Sequence, residues 1–211
     1  MSEQGSVGQP RTLSFAGVSV LIGAGWVLGV GEVAGQNLDE VNYSQGDAAA
    51  PVVVVEFLDF GCPVCANFAL ETFPGIRDRY VTTGQVHWQV VPFVLGSFRH
   101  SKEAARAAVC ADEQGAFWQM HDLLFTQRGW SQSRNPTEPL AALATELELD
   151  GVAFESCYDS DEAKDRVERQ TRAARRSRVR GTPTFLIDGE MVVGAPEAEQ
   201  FSQLLDESLG R

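Results

Sequence analysis

Two thiols separated by two residues, the first of them a proline, stand directly after an apolar run in "EFLDFGCPVC", Glu56 to Cys65. The chemistry such a pair offers is thiol–disulfide exchange. Its position at a junction of strand and helix makes the two sulfurs unequal. A sulfur at a helix N-terminus meets unpaired backbone N–H groups and the positive end of the helix dipole, which favour thiolate. Pro63 suits the first helical position, where its missing N–H costs nothing. Cys62 is therefore expected as the exposed nucleophile, and Cys65, one turn into the helix, as the resolving thiol.

Two further features could serve that chemistry. Glu56 interrupts an otherwise apolar strand, and a carboxylate buried there without a partner is costly unless it becomes neutral. A buried carboxyl of raised pKa could pass a proton to or from Cys65 when a mixed disulfide resolves. The competing reading puts Glu56 near a sheet end, reaching solvent. The second feature is Gly181-Thr182-Pro183-Thr184, directly before a strand, where proline is tolerated at the first residue.

The elements that must hold these residues follow from periodicity. "PVVVVEFLDF" is a continuous β-branched apolar run, as in a central strand covered on both faces. "PVCANFALETFPGIRDRYVTTG" reads as a helix that kinks or breaks before Pro74 and ends at Gly84, and "QVHWQVVPF" as a second strand. Strand, helix, strand implies a parallel pair with a right-handed crossover. A helical block follows over about 97–178, its last helix running through the charged stretch Asp161 to Arg180. Then come "TPTFLI", an Asp188-Gly189 turn, "EMVVG" and a closing helix with proline at its start.

The order β-α-β, helical block, β-β-α, with "FLDFGCPVC" after the first core strand and "RGTPTFLIDG" opening the second half, resembles the thioredoxin fold of the DsbA-like thiol:disulfide oxidoreductases. The resemblance covers roughly Val41 to Leu209. It implies an α/β thioredoxin fold with a helical insertion, Cys62 as nucleophile, Cys65 as its partner and Glu56 as the buried acid. Thr182 and a cis Pro183 are implied beside the active-site disulfide, binding substrate with Pro63 and Val64. Val64 departs from the histidine of the best-known oxidants. Valine offers the Cys62 thiolate neither a hydrogen bond nor a charge, so the pair should be less oxidising than in those members. Related exported proteins often carry a structural disulfide in the helical block, which here would join Cys110 and Cys157; two free buried thiols, or a second redox pair, are the alternatives.

Residues 1–35 read differently. From Leu13 to Gly31 there is no charged residue, a span long enough for a membrane helix, which needs about 20 apolar residues. A cleaved signal peptide is the alternative. Residues 36–50 read as a linker overlapping the entry into a domain over 41–211. Either reading of the N-terminus takes the folded part to the extracytoplasmic side of a bacterial membrane, where the four cysteines can persist as disulfides. A net charge of −12 argues against a nucleic-acid partner.

The C-x-x-C lacks the second pair or H-x-x-x-H that would complete a zinc site, so no metal or cofactor is expected. His87, His100 and His121 read as packing or surface residues. The arginines from Arg169 to Arg180 read as a solvated helix face, with support of the thiolate as the sharper alternative. The expected partners are thiol-containing exported proteins and, by resemblance, a quinone-coupled membrane reoxidase. A reductase or isomerase of the same fold, and a chaperone-like or metal-delivery module, are the competing functions.

Overall fold

The computed structural model describes residues 1, 38 and 42–211. The segment expected as anchor or signal lies outside them. Among the described residues no helix is long and apolar enough to cross a membrane.

Five strands form one sheet: β1 (Tyr43–Gln45), β2 (Val52–Leu58), β3 (Val86–Pro92), β4 (Thr184–Ile187) and β5 (Glu190–Val193). Their spatial order is β1-β3-β2-β4-β5, so the valine-rich strand is central. It pairs parallel with β3 and antiparallel with β4, and Glu56 stands between Val90 and Phe185. β1 was not expected: it lies within the stretch read as linker and pairs antiparallel with β3. Three residues are too few to show an alternating pattern, and this strand exists only because the edge of β3 needs a partner.

The first helix, α1, runs over 63–81 and passes through Pro74 without the expected break. Two π-helical turns, Phe68–Thr72 and Arg77–Val81, alternate with the α-helical segments Pro63–Asn67 and Phe73–Ile76. The Phe73 N–H reaches back to the Phe68 carbonyl, so the ladder is displaced by one residue just before the proline, which has no N–H to give.

The helical block spans α2 (Ser101–Asp112), α3 (Phe117–Thr126), α4 (Gly129–Gln132), α5 (Thr137–Glu146), α6 (Gly151–Asp159) and α7 (Asp161–Arg176). Asp150 and Ser160 cap α6 and α7, accepting from the Ala153 and Ala163 N–H groups. The last helix of the block stops at Arg176, short of Arg180, because Arg178 turns left-handed at φ 62°. Asp188 and Gly189 make the expected hairpin at φ 48° and 88°. The closing helix, α8 (Ala198–Ser208), begins after Pro196 rather than with it.

The core beneath α1 is aromatic. Phe68, Trp88, Phe185 and Phe201 are almost fully buried and meet with ring centroids 4.7–6.2 Å apart. They bury large apolar areas and pack Phe68 of α1 against the strands β3 and β4 and the closing helix.

In the helical block a disulfide joins Cys110 of α2 to Cys157 of α6 across 47 residues. Closing a loop of that length restricts the unfolded chain by about 4 kcal/mol in the chain-entropy model. Replacing both cysteines by serine is expected to lower unfolding stability by roughly 2–5 kcal/mol in urea titrations, with the Cys62–Cys65 chemistry retained.

Candidate active site

The site begins with a turn. After β2, Asp59 to Cys62 reverse direction, with the Cys62 N–H on the Asp59 carbonyl at 2.9 Å. The Asp59 carboxylate accepts the Gly61 N–H at 2.8 Å, the Leu95 N–H at 2.9 Å and the Ser101 hydroxyl. Arg128, from the short link between α3 and α4, donates to the Phe60 and Gly61 carbonyls at 3.0 and 2.8 Å. Gly61 must be glycine: a Cβ there would lie well inside contact distance of the Phe98 Cβ and the Ser101 Oγ.

That turn leaves Cys62 extended, at φ −71° and ψ 123°, as the N-cap of α1, with Pro63 at the first helical position. Its thiol is depressed to about 6. The hydrogen bond from the Cys65 thiol is the chief cause, followed, against the opposing effect of burial, by the backbone N–H of Cys65, by Thr182 and by the backbone N–H of Val64. Cys65 moves the other way: burial pushes its thiol well above the ordinary range, and the Cys62 sulfur adds to the effect. The two sulfurs are thus unequal, as their places on the helix require.

Cys62 is not exposed as expected but 3% accessible. Its Sγ lies 3.4 Å from the Thr182 carbonyl, and the Thr182–Pro183 peptide is cis. The proline loop from the far half of the chain therefore covers the sulfur, while Val64 beside it is 45% exposed. The Thr182 hydroxyl is buried and has no hydrogen-bond partner.

Glu56 is buried in the middle of the sheet, not near an end. Burial pushes its carboxyl up to about 8, opposed only by one hydrogen bond, from the Trp88 indole at 3.3 Å. Glu56 and Cys65 are close enough to interact electrostatically. Asp59 is as buried as Glu56 but is supplied with donors. Burial raises its pKa, and Ser101, the Leu95 and Gly61 N–H groups and Arg128 oppose this. Sequence reading missed Asp59, Ser101 and Arg128; only the Asp-x-Gly spacing of an Asx turn before Cys62 could have signalled the first of them.

Arg169 pairs with Glu162 and Arg172 with Glu168, with side chains about half exposed. His121 is buried against Phe60, Phe117, Trp118 and Phe125, and contacts Asp122 at 2.9 Å.

Comparison with known proteins is consistent with this geometry. The family model described as thioredoxin matches residues 39–207. A sodium–proton antiporter NhaA 3 of Salinispora tropica is 34% identical over 76% of the chain, which spans 24% of that relative's length. A probable disulfide bond formation protein D of Bacillus anthracis is 26% identical over 79% of the chain and 77% of its own length. The crystal structure of oxidised BdbD from Bacillus subtilis superposes with a TM-score of 0.73 at 22% identity, covering 82% of the chain and 95% of BdbD, a likeness of fold.

Two outcomes test the site. Because the folded Glu56 holds its proton above the ordinary value of 4.5 and up to about 8, wild type loses stability in that window by about 1.4 kcal/mol per pH unit as pH rises. With the cysteines held as the disulfide, Glu56→Gln should gain on wild type between these pH values and level off above, in urea titrations. Gly61→Ala should cost about 1–3 kcal/mol by overpacking the turn, read as a lowered melting temperature.

Proposed function

As the chain belongs to the thioredoxin family and has the fold of DsbA-like proteins, we propose that it is a thiol:disulfide oxidoreductase that introduces or exchanges disulfides in exported proteins through Cys62 and Cys65. The observation that carries this reading is the inequality of the two sulfurs: a depressed thiol at the helix N-terminus against a buried partner pushed up.

In the oxidising direction a substrate thiolate attacks Cys62 Sγ of the Cys62–Cys65 disulfide. The S–S bond breaks and Cys65 leaves as a thiolate, which takes up a proton. Glu56 is the group to supply it, since a carboxyl held neutral near pH 7 can give up a proton that an ordinary carboxylate would not carry. A second substrate thiolate then attacks the substrate sulfur of the mixed disulfide. The substrate disulfide forms, Cys62 departs as its stabilised thiolate, and two electrons have passed to the cysteine pair. Thr182 and Pro183, beside Cys62, with Pro63 and the exposed Val64, are the surface for the substrate backbone.

The Cys110–Cys157 bridge supports an oxidising, extracytoplasmic compartment. Anchoring through residues 1–35, and reoxidation by a quinone-coupled membrane partner, complete this reading. The antiport activity named for the Salinispora relative is not part of it, because the residues matched carry dithiol chemistry.

The decisive measurement is the reduction potential of Cys62–Cys65, equilibrated against glutathione buffers, with Cys110 and Cys157 followed separately by alkylation. A disulfide donor is expected at about −120 to −180 mV, whereas a value near about −270 mV would make the protein a reductase. Cys62→Ser should abolish exchange; a binding module would tolerate it.

A further inference from the structure

The helical insertion meets the active-site turn at Ser101, which donates to Asp59, and at one cation, Arg128. Arg128 lies between α3 and α4, away from both sulfurs in sequence, yet its two Nη atoms donate separately to the Phe60 and Gly61 carbonyls. These are the two central carbonyls of the Asp59–Cys62 turn, and they have no other hydrogen-bond donor among the described residues. The Gly61 and Cys62 N–H groups of the same turn go to the Asp59 side chain and carbonyl. Asp59 is in turn held by Ser101 and the Leu95 N–H. The turn is thus held at its Gly61 N–H by a carboxylate and at its Phe60 and Gly61 carbonyls by a guanidinium.

A planar fork with fixed donor spacing can hold two successive carbonyls at once, which an ammonium cannot do with the same geometry. The guanidinium also lies over the Trp130 ring at 5.9 Å, and the backbone carbonyl of Arg128 accepts from the Ser131 N–H and hydroxyl.

Resting on the oxidoreductase reading above, we infer that Arg128 is a positioning residue for thiol–disulfide exchange, by which the helical insertion holds the turn that aims Cys62 at the helix N-terminus. The insertion then influences the redox pair without contacting either sulfur. The consequence has a definite sign. Besides the Cys65 thiol, its chief support, the Cys62 thiolate draws on the backbone N–H groups of Cys65 and Val64, and these are aligned only while Cys62 keeps its extended N-cap conformation. Loosening the turn weakens those bonds, disfavours the thiolate and makes the disulfide less oxidising.

The test uses the full-length protein in detergent, as wild type, Arg128→Lys and Arg128→Ala. Thiolate absorbance at 240 nm is titrated in the reduced proteins, and the glutathione equilibrium constant is measured in parallel. Partial loss of the N–H bonds to the thiolate should raise the Cys62 pKa by about one unit. From a starting value of about 6, that makes the pair about fivefold weaker as an oxidant at pH 7. Both variants should shift, because lysine keeps the charge and loses the fork. Circular dichroism at the titration temperature confirms that each variant is folded, and Lys is the variant retained if Ala is not. A Lys variant identical to wild type would reduce the role of Arg128 to its charge and overturn the inference, as would an unmoved thiolate in both. Should wild-type Cys62–Cys65 fail to equilibrate with glutathione, the oxidoreductase reading falls, whereas the absorbance titration still decides whether Arg128 positions Cys62.

Discussion

Everything at the site depends on where α1 begins. A helix start leaves N–H groups unpaired whatever the sequence, and a sulfur placed at the cap position meets them while one a turn later does not. The two cysteines are chemically identical and three positions apart, yet one is held down to about 6 and the other is driven well above the ordinary range. The Cys65 thiol and burial supply the largest shares of that difference, and the helix start adds the backbone N–H share. The turn before it, the glycine within the turn and the proline after it all serve to keep the start in place.

The two buried acids show how environment separates residues of the same chemistry. Asp59 accepts from two backbone N–H groups and a hydroxyl, with Arg128 nearby, so its charge is engaged in holding the turn. Glu56 has a single indole donor and sits between strands on both sides, where charge is costly. One is a fixture and the other a group that can carry a proton. Their positions on either side of the end of β2 place both within the same small volume as the thiols.

The helical block is more than an ornament on the sheet. It contributes Ser101 and Arg128 to the active-site turn, and two of its helices, α2 and α6, are tied by the Cys110–Cys157 bridge. The proline loop closes the site from the other end of the chain, with the Thr182 carbonyl over Cys62. Segments distant in sequence thus meet at the turn and at Cys62, which is nearly inaccessible while Val64 beside it faces solvent.

What the sequence by itself determined was the local: the buried β-branched strand, the C-P-x-C pair at a helix start, the Asp188-Gly189 hairpin and the helix-rich middle, since each is a pattern among near neighbours. That α1 would carry on past Pro74 by way of a π turn, rather than break, was not legible, because a π turn is a choice between two hydrogen-bond ladders. Nor was β1, too short to carry a period of its own. The meeting of Cys62 with Thr182 across 120 residues was implied by the family resemblance, but only the tertiary structure decided what holds the turn before Cys62: Asp59 meets Ser101 across 42 residues and Arg128 meets Gly61 across 67. Contacts at such separations follow from how whole elements pack, and no spacing in the chain encodes them.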